Sequence, residues 1–324
     1  MRPTAARFAL VSMTALSLAL GACMSTPSAQ APAAPAAPAV DRYAQLMDDL
    51  RILSADDMAG RGVGTPGGEM ARNYLVGRME ALGIAAPAMG RLQPFESTAT
   101  RRDGSSVTYN GVNVLGLIPG TRVTDRYIVI TAHYDHEGVK NGEIYNGADD
   151  NASGVATMLE IAARLKAAPP EHSVLIVALD GEERGLLGAR HFVEAPPFPL
   201  TSIALNINYD MTARAETDGK LWVTGTYQHP NLRPILEPIP ANGAVALAFG
   251  KDTPEDKGED NWVMASDHGA FHRAGLPFLY FGVNYHPDYH RPTDDFERIT
   301  PSVFISATEL AWAGFQALDR SLDR

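Results

Sequence analysis

The chain has 324 residues, 45% of them hydrophobic, and is therefore long enough to bury a large core within a single α/β domain. Its 38 Asp and Glu residues outnumber its 27 Lys and Arg residues, which gives a formal net charge of −11. Such an excess of acidic groups leaves no broad cationic surface, and this argues against nucleic acid or anionic lipid as an electrostatic partner.

The N-terminal residues have the composition of an export signal. Residues 1–7 include two arginines and no acidic residue, and residues 8–20 form an apolar stretch too short to span a bilayer as a mature helix. This pattern predicts a secretory signal peptide over residues 1–22. The sequence Leu20-Gly21-Ala22-Cys23 then resembles the lipobox of bacterial lipoproteins, in which the cysteine becomes the acylated N-terminus. The alternative is an ordinary cleaved signal followed by an incidental cysteine.

Cys23 is the only cysteine in the chain, so its acylation would leave none for a disulfide bond. Residues 23–40 are rich in Ala and Pro and have too few large apolar side chains to order themselves, which predicts a tether. Acyl chains on Cys23 would bind the protein to a membrane, since each buried methylene contributes about 0.8 kcal/mol. We predict that the protein is located in the bacterial cell envelope, where its lipid anchors it to the periplasmic face of the outer membrane.

Residues 41–324 contain no internal repeat and are predicted to form one catalytic domain in which strands and helices alternate. In chain order, the predicted elements are a helix at 69–82, a strand at 127–132, a helix at 153–166, a strand at 173–179, a helix at 185–193, a strand at 202–209 and a strand at 276–281. Alternation of this kind predicts an α/β fold of three αβα layers around a central, mainly parallel mixed sheet. The strand at 202–209 alternates apolar with small or polar residues, which predicts a half-buried strand.

Acidic residues and histidines follow the predicted strands at their carboxyl ends, where open α/β sheets bind ligands. The segments are His133-Tyr-Asp-His136, Asp149-Asp150, Glu182-Glu183, Tyr209-Asp210, and a late loop with Asp288-Tyr-His290 and Asp294-Asp295. Each segment alone is explained by a helix cap or a solvated side chain. Their recurrence at successive strand ends predicts a metal site, and imidazole with carboxylate but no thiolate suits zinc, cobalt or manganese.

These motifs resemble those of the two-zinc leucyl aminopeptidase family, whose relatives include glutamate carboxypeptidases and glutaminyl cyclases. The resemblance extends from about residue 50 to residue 299 and begins with Asp56-Asp57-Met-Ala-Gly60-Arg61-Gly62. It implies two zinc ions per chain at the C-terminal strand ends. The metal ligands that it implies are His133, Asp150, Glu183, Asp210 and His290.

The resemblance also implies how these ligands are shared. Asp150 would bridge the metals, with His133 and Asp210 completing one site and Glu183 and His290 completing the other. The four positive charges of two zinc ions would then be balanced by three carboxylates and one bridging hydroxide, which makes a neutral site.

Two residues beside His133 need separate consideration. Asp135 lies two positions further along an extended chain, so its side chain can return to the same face and accept a hydrogen bond from the imidazole. We therefore predict that Asp135 orients the His133 ring by a hydrogen bond and does not itself bind the metal. His136 is an alternative to His133 as the metal ligand, although it lies further into the loop.

The resemblance implies catalytic roles for Glu182 and Tyr289. In the family, the position of Glu182 holds the general base that takes a proton from a metal-bridging water and passes it to the leaving amine. A tyrosine placed like Tyr289 helps to stabilise the tetrahedral oxyanion in some relatives. Ser266-Asp267-His268 also occurs near the substrate pocket in the family, but a helix cap explains it equally well.

The function implied is that of a zinc metalloexopeptidase, an aminopeptidase that hydrolyses N-terminal residues from peptides. Three alternatives stay open. A glutaminyl cyclase would use one zinc ion to activate a carbonyl for intramolecular attack, a carboxypeptidase or dipeptidase would cleave other peptides, and a catalytically dead relative would serve as a binding module. The preferred N-terminal residue and the oligomeric state are not indicated by the sequence.

Overall fold

The structure, a computed structural model, describes residues 42–100 and 104–323. The predicted signal peptide at 1–22, the predicted acylation site Cys23 and the tether at 23–40 lie outside these described residues. Among the helices that are described, none combines the length and the apolar character needed to cross a membrane.

A mixed sheet forms the centre of the described part of the chain. In chain order the strands are β1 (Leu92–Thr100), β2 (Ser106–Ile118), β3 (Val123–His133), β4 (Gly138–Lys140), β5 (Glu143–Tyr145), β6 (His172–Leu179), β7 (Ile203–Tyr209), β8 (Lys220–Thr224), β9 (Ala246–Phe249) and β10 (Phe278–Gly282). Strands β4 and β5 form a separate hairpin, and the others lie in the order β1-β2-β6-β3-β7-β10-β8-β9. The central strands β6, β3, β7 and β10 are parallel to one another, whereas β2 and β8 run antiparallel to their inner neighbours.

Helices cover both faces of this sheet. They are α1 (Ala44–Leu53), α2 (Pro66–Ala81), α3 (Gly154–Ala167), α4 (Leu187–Glu194), α5 (Arg233–Leu236), α6 (His268–Arg273) and α7 (Pro301–Ser321). Successive side chains of a strand point to opposite faces, so Ile128 and Ile130 pack with α1, α2, α3 and α7, while Val129 packs with α4 and α6. The predicted three-layer αβα fold with a mainly parallel sheet is thus confirmed.

Strand β7 is more deeply buried than the sequence predicted. The alternation at 202–209 predicted a half-buried strand, but every residue of β7 is buried. Both of its asparagines use their amide donors inside the protein: Asn206 donates to the Val129 carbonyl oxygen at 3.1 Å and Asn208 donates to Ser266 Oγ at 2.9 Å. Polar side chains with such partners are tolerated in a core, and β7 lies between β3 and β10 with helices on both faces.

Candidate metal centre

Neighbouring parallel strands end at one edge of the sheet, and the predicted ligands follow them. Strand β3 ends at His133, β6 is followed by Glu182 and Glu183, and β7 is followed by Asp210. Because β3 lies between β6 and β7, these side chains are brought together. Asp150 joins them from the irregular turn that precedes α3.

The five predicted ligands form one cluster with Asp150 at its middle. His133 Nε2 lies 3.5 Å from Asp150 Oδ1 and 3.3 Å from Asp210 Oδ1. On the other side, His290 Nε2 lies 3.1 Å from Asp150 Oδ2 and 3.5 Å from Glu183 Oε2. The two oxygens of one carboxylate therefore face two different histidines, as a bridging ligand would require.

Two further residues belong to this cluster: His136, which the sequence offered only as an alternative to His133, and Glu137, which it did not predict. His136 is buried, and its Nδ1 lies 2.7 Å from Glu183 Oε1. Glu137, Glu183 and His290 each have one possible metal-ligand atom, and these three atoms lie within 4.8 Å of one another. His136 is therefore a member of the cluster in addition to His133. The feature of the sequence that could have indicated His136 and Glu137 is their position directly after β3. Two further groups meet the same distance limit: His133 with Glu182 and Asp210, and His136 with Asp150 and Glu183.

The chemistry of this cluster fits zinc. Within the described residues, His133 Nε2, His136 Nδ1 and Asp210 Oδ1 are buried atoms that make no hydrogen bond of normal geometry. Leaving such atoms unpaired costs about 1–3 kcal/mol each, so native proteins rarely do so without a ligand. Imidazole nitrogen and carboxylate oxygen are ligands that zinc prefers, and coordination would satisfy all three atoms.

Hydrogen bonds to the Asp294 side chain hold the backbone of Asp150 in place. The carboxylate of Asp294 accepts the backbone N–H groups of Asp149 at 3.1 Å and of Asp150 at 3.0 Å. Asp149 in turn accepts the Ala213 amide at 2.7 Å and contacts His286 Nε2 at 3.1 Å. The late Asp294 of the sequence motif therefore acts on the turn that carries Asp150, the central residue of the cluster.

Asp135 contacts both the first histidine and the Glu182 turn. Its carboxylate accepts the backbone amides of Glu182 at 3.0 Å and of Glu183 at 3.4 Å. His133 Nδ1 lies 3.1 Å from the backbone oxygen of Asp135 and 3.7 Å from its carboxylate. The structure thus places Asp135 behind His133, with its backbone oxygen nearer to the ring than its side chain.

A cavity of about 250 Å³ opens onto the cluster. Its walls are Asp150, Glu182, Glu183, Asp210, Met211, Ala265, Tyr280, Tyr285, Tyr289 and His290. Burial raises the pKa of Glu182 well above its usual range, although the charge of His133 opposes this effect. The Tyr289 ring stacks on His290 with 3.9 Å between centroids, and burial raises the pKa of its hydroxyl, which therefore stays protonated. A proton acceptor and a hydrogen-bond donor thus face the same space.

Without metal, the ionisable groups of the cluster stabilise one another. Burial alone would lower the pKa of His290, but the hydrogen bond and charge of Asp150 outweigh it and raise that pKa to about 9. Burial alone would raise the pKa of Glu183, but the charge of His136 lowers it to about 2. At neutral pH, His290 is therefore protonated and Glu183 is ionised.

We expect the metal-free protein to lose stability as the pH rises. An unfolded histidine loses its proton near pH 6.5, whereas His290 keeps it to about 9. Its contribution is therefore fully present below about pH 6.5 and is lost as the pH rises through 9. A zinc-bound imidazole has already released that proton, so the Tm gap between zinc-loaded and chelator-treated protein should widen between about pH 6 and pH 9. A constant gap in thermal melts would contradict the assignment of His290.

The sequence profile of peptidase family M28 matches residues 113–314. Among curated proteins, "Aminopeptidase YwaD" of Bacillus subtilis (strain 168) is 27% identical over 212 residues, which cover 62% of this chain and 43% of that protein. "Probable lipoprotein aminopeptidase LpqL" of Mycobacterium tuberculosis (strain ATCC 25618 / H37Rv) is 27% identical over 251 residues, 68% of this chain and 49% of that protein. The chain therefore spans less than half the length of these curated relatives.

Solved structures share the fold at low sequence identity. BSAP, a zinc aminopeptidase from Bacillus subtilis, is 18% identical with a TM-score of 0.62, over 84% of this chain and 93% of that one. The glutaminyl cyclase of Porphyromonas gingivalis is 17% identical with a TM-score of 0.64, over 84% and 96% of the two chains. The αβα architecture is therefore common to zinc aminopeptidases and to glutaminyl cyclases.

Proposed function

The chain belongs to peptidase family M28, whose profile matches residues 113–314, and on that premise we propose that it is a two-zinc aminopeptidase that removes N-terminal residues from peptides. The observation that carries this proposal is the position of Asp150, whose two oxygens face histidines on opposite sides of one cluster. Relatives named as aminopeptidases, including YwaD and LpqL, support it.

Each zinc ion would be held by part of the cluster. His133 and Asp210 would bind one ion, Glu183 and His290 would bind the other, and Asp150 would contact both. His136 is the additional donor on the second side. When bound, zinc polarises a carbonyl group and lowers the pKa of a coordinated water towards neutrality.

The chain's own residues would move the proton and stabilise the developing charge. Glu182 faces the cavity, and burial raises the pKa of its carboxyl group, which makes the carboxylate a stronger base. It would take a proton from the attacking water and give it to the leaving amine. Tyr289, with its hydroxyl protonated, would donate a hydrogen bond to the oxygen of the scissile carbonyl as negative charge develops there.

The charge of the cavity favours a free amine over a free carboxylate as the anchored end of the substrate. Its walls carry four carboxylates and neither arginine nor lysine. A carboxypeptidase needs a cationic side chain for the C-terminal carboxylate of its substrate, and arginine usually supplies it. The cavity wall offers no such cation, which is the observation that disfavours the carboxypeptidase alternative.

The test is hydrolysis of a panel of aminoacyl-p-nitroanilides by the full chain in detergent, with and without a chelator. The matched control is the same panel with acetylated amines, which should not be cleaved. Chelator-sensitive cleavage of the free amines, together with about two zinc ions per chain, supports the proposal. Two zinc ions without cleavage would reject aminopeptidase activity. About one zinc ion with cyclisation of an N-terminal glutamine would favour the glutaminyl cyclase alternative.

We also propose that the chain is a lipoprotein, acylated at Cys23 and anchored in the bacterial cell envelope on the periplasmic face of the outer membrane. The support is the Leu20-Gly21-Ala22-Cys23 sequence and the name of the relative LpqL, a lipoprotein aminopeptidase. Residues 23–40 would then hold the catalytic domain away from the bilayer. Metabolic labelling with palmitate tests this, since labelling that persists in Cys23→Ser would contradict it.

A further inference from the structure

Arg61 is a fully buried arginine whose hydrogen bonds all go to the backbone. Its Nε donates to the Tyr134 carbonyl oxygen at 2.8 Å, and its Nη1 donates to those of Leu53 at 2.5 Å and Asn146 at 2.6 Å. Its Nη2 donates to the Gly147 carbonyl oxygen at 3.0 Å. A buried guanidinium more often binds a carboxylate, so this set of partners needs an explanation.

The carbonyl groups that Arg61 binds belong to the segments that carry metal ligands. Tyr134 directly follows His133 at the end of β3, and Gly147 begins the turn that contains Asp150. The guanidinium is a planar, rigid fork, so hydrogen bonds from its different nitrogens fix the directions of their partners relative to one another. One side chain therefore joins the two segments whose separation decides the distance between the two ligands.

The turn at Gly147 transmits this constraint to Asp150. Gly147 has a left-handed backbone with φ of 56°, and a Cβ at this position would collide with the Asp150 carbonyl oxygen and the His136 ring. The backbone is thus packed directly against the residues of the cluster. A shift of the Gly147 carbonyl would move Asp150 as well.

Charge and geometry predict opposite effects of Arg61 on metal binding. Burial lowers the pKa of Arg61 to about 10, and Asp135 and Asp150 oppose that shift, so it is a cation at neutral pH. A fixed cation beside the site repels a metal cation, and its removal would strengthen binding if charge were its main effect. If geometry is its main effect, removal would weaken binding.

We propose that Arg61 is a positioning residue of the metal centre, which acts through backbone carbonyl groups to hold His133 and Asp150 at the separation that metal binding requires. The proposal rests on the proposed metal centre but not on which bond the protein cleaves. It gives a role to the Gly60-Arg61-Gly62 motif, which the ligands and catalytic residues leave unexplained.

The experiment measures metal binding in two variants of the full chain. Arg61→Lys keeps the charge and loses the planar fork, and Arg61→Gly suits the left-handed backbone at this position, where φ is 50°. The matched control is Arg91→Lys, because Arg91 also donates to backbone carbonyls, those of Ile84 and Leu115, but does not contact the ligand segments. The readouts are zinc affinity, by competition with a chromophoric chelator, and the visible spectrum of the cobalt-substituted protein.

We expect both Arg61 variants to bind zinc about 10–100-fold more weakly than the wild type, with an altered cobalt spectrum. Arg91→Lys should keep both properties, and methylguanidinium should restore part of the zinc affinity of Arg61→Gly. A folded Arg61 variant with unchanged or tighter zinc binding would overturn the proposal. The proposal would also be overturned if both variants stayed unfolded even with methylguanidinium, because Arg61 would then be required for folding. No readout uses a peptide, so a failure of the aminopeptidase proposal would be seen separately.

Discussion

Replacing Glu182 with glutamine is expected to lower the rate of peptide hydrolysis by about 10²–10⁴-fold while leaving the zinc content unchanged. Glutamine has nearly the same shape but cannot accept and release a proton. Glu182 faces the cavity, and burial raises its pKa, which strengthens its carboxylate as a base. The measurement is kcat/KM on an aminoacyl-p-nitroanilide, together with zinc analysis of the same sample.

The matched control for this variant is Glu183→Gln, which alters the adjacent carboxylate. Glu183 contacts His136 and His290, so this variant should lose metal as well as activity. Loss of zinc from Glu182→Gln would contradict the general-base role. It would show instead that Glu182 is a ligand with His133 and Asp210, which lie close enough to share an ion with it.

Replacing Asp150 with asparagine is expected to abolish detectable hydrolysis and to deplete both zinc sites. Asparagine keeps the shape but loses the charge and one of the two oxygens that face His133 and His290. The other predicted ligands each lie on one side of the cluster, so Asp210→Asn should deplete mainly the site that contains His133. Zinc content per chain, measured after dialysis against a weak chelator, distinguishes the two variants.

Asp252→Asn is the control for the loss of a buried carboxylate. Asp252 is also buried, and its side chain accepts the backbone amides of Gly225 and Tyr227 rather than facing a metal ligand. This variant should lose stability and keep its zinc. Full zinc content in Asp150→Asn would show that Asp150 does not bridge two sites.

The central strands could be predicted from the sequence because they are buried on both faces of the sheet and are therefore continuously apolar. The apolar runs at 127–132 and 173–179 are the buried cores of β3 and β6, which are covered on both faces. The outer hairpin of β1 and β2 was not predicted, since its burial changes from exposed to buried along β2 and the sequence has no single period there. Helix α7 was not predicted either, although residues along most of its length are buried.

The metal centre was predictable only in part. The sequence placed the proposed ligands at the carboxyl ends of strands, and the five of them converge in the structure. His136 and Glu137 follow the end of β3 in irregular backbone, where strand alternation no longer gives the direction of a side chain. The role of Arg61 had no signal at all, because its partners are backbone carbonyls between 8 and 86 positions away, and any residue type supplies a carbonyl.

Asp294 accepts the backbone amides of Asp149 and Asp150 from 145 and 144 positions further along the chain. Closing a loop of this length costs conformational entropy before the contact can stabilise the structure. A chain that ends just before residue 290 therefore contains His133, Asp150 and Glu183 but lacks both His290 and Asp294. Such a chain would lack the histidine that faces Asp150 Oδ2 and the carboxylate that accepts the Asp149 and Asp150 amides, so the turn would lose its support at both points.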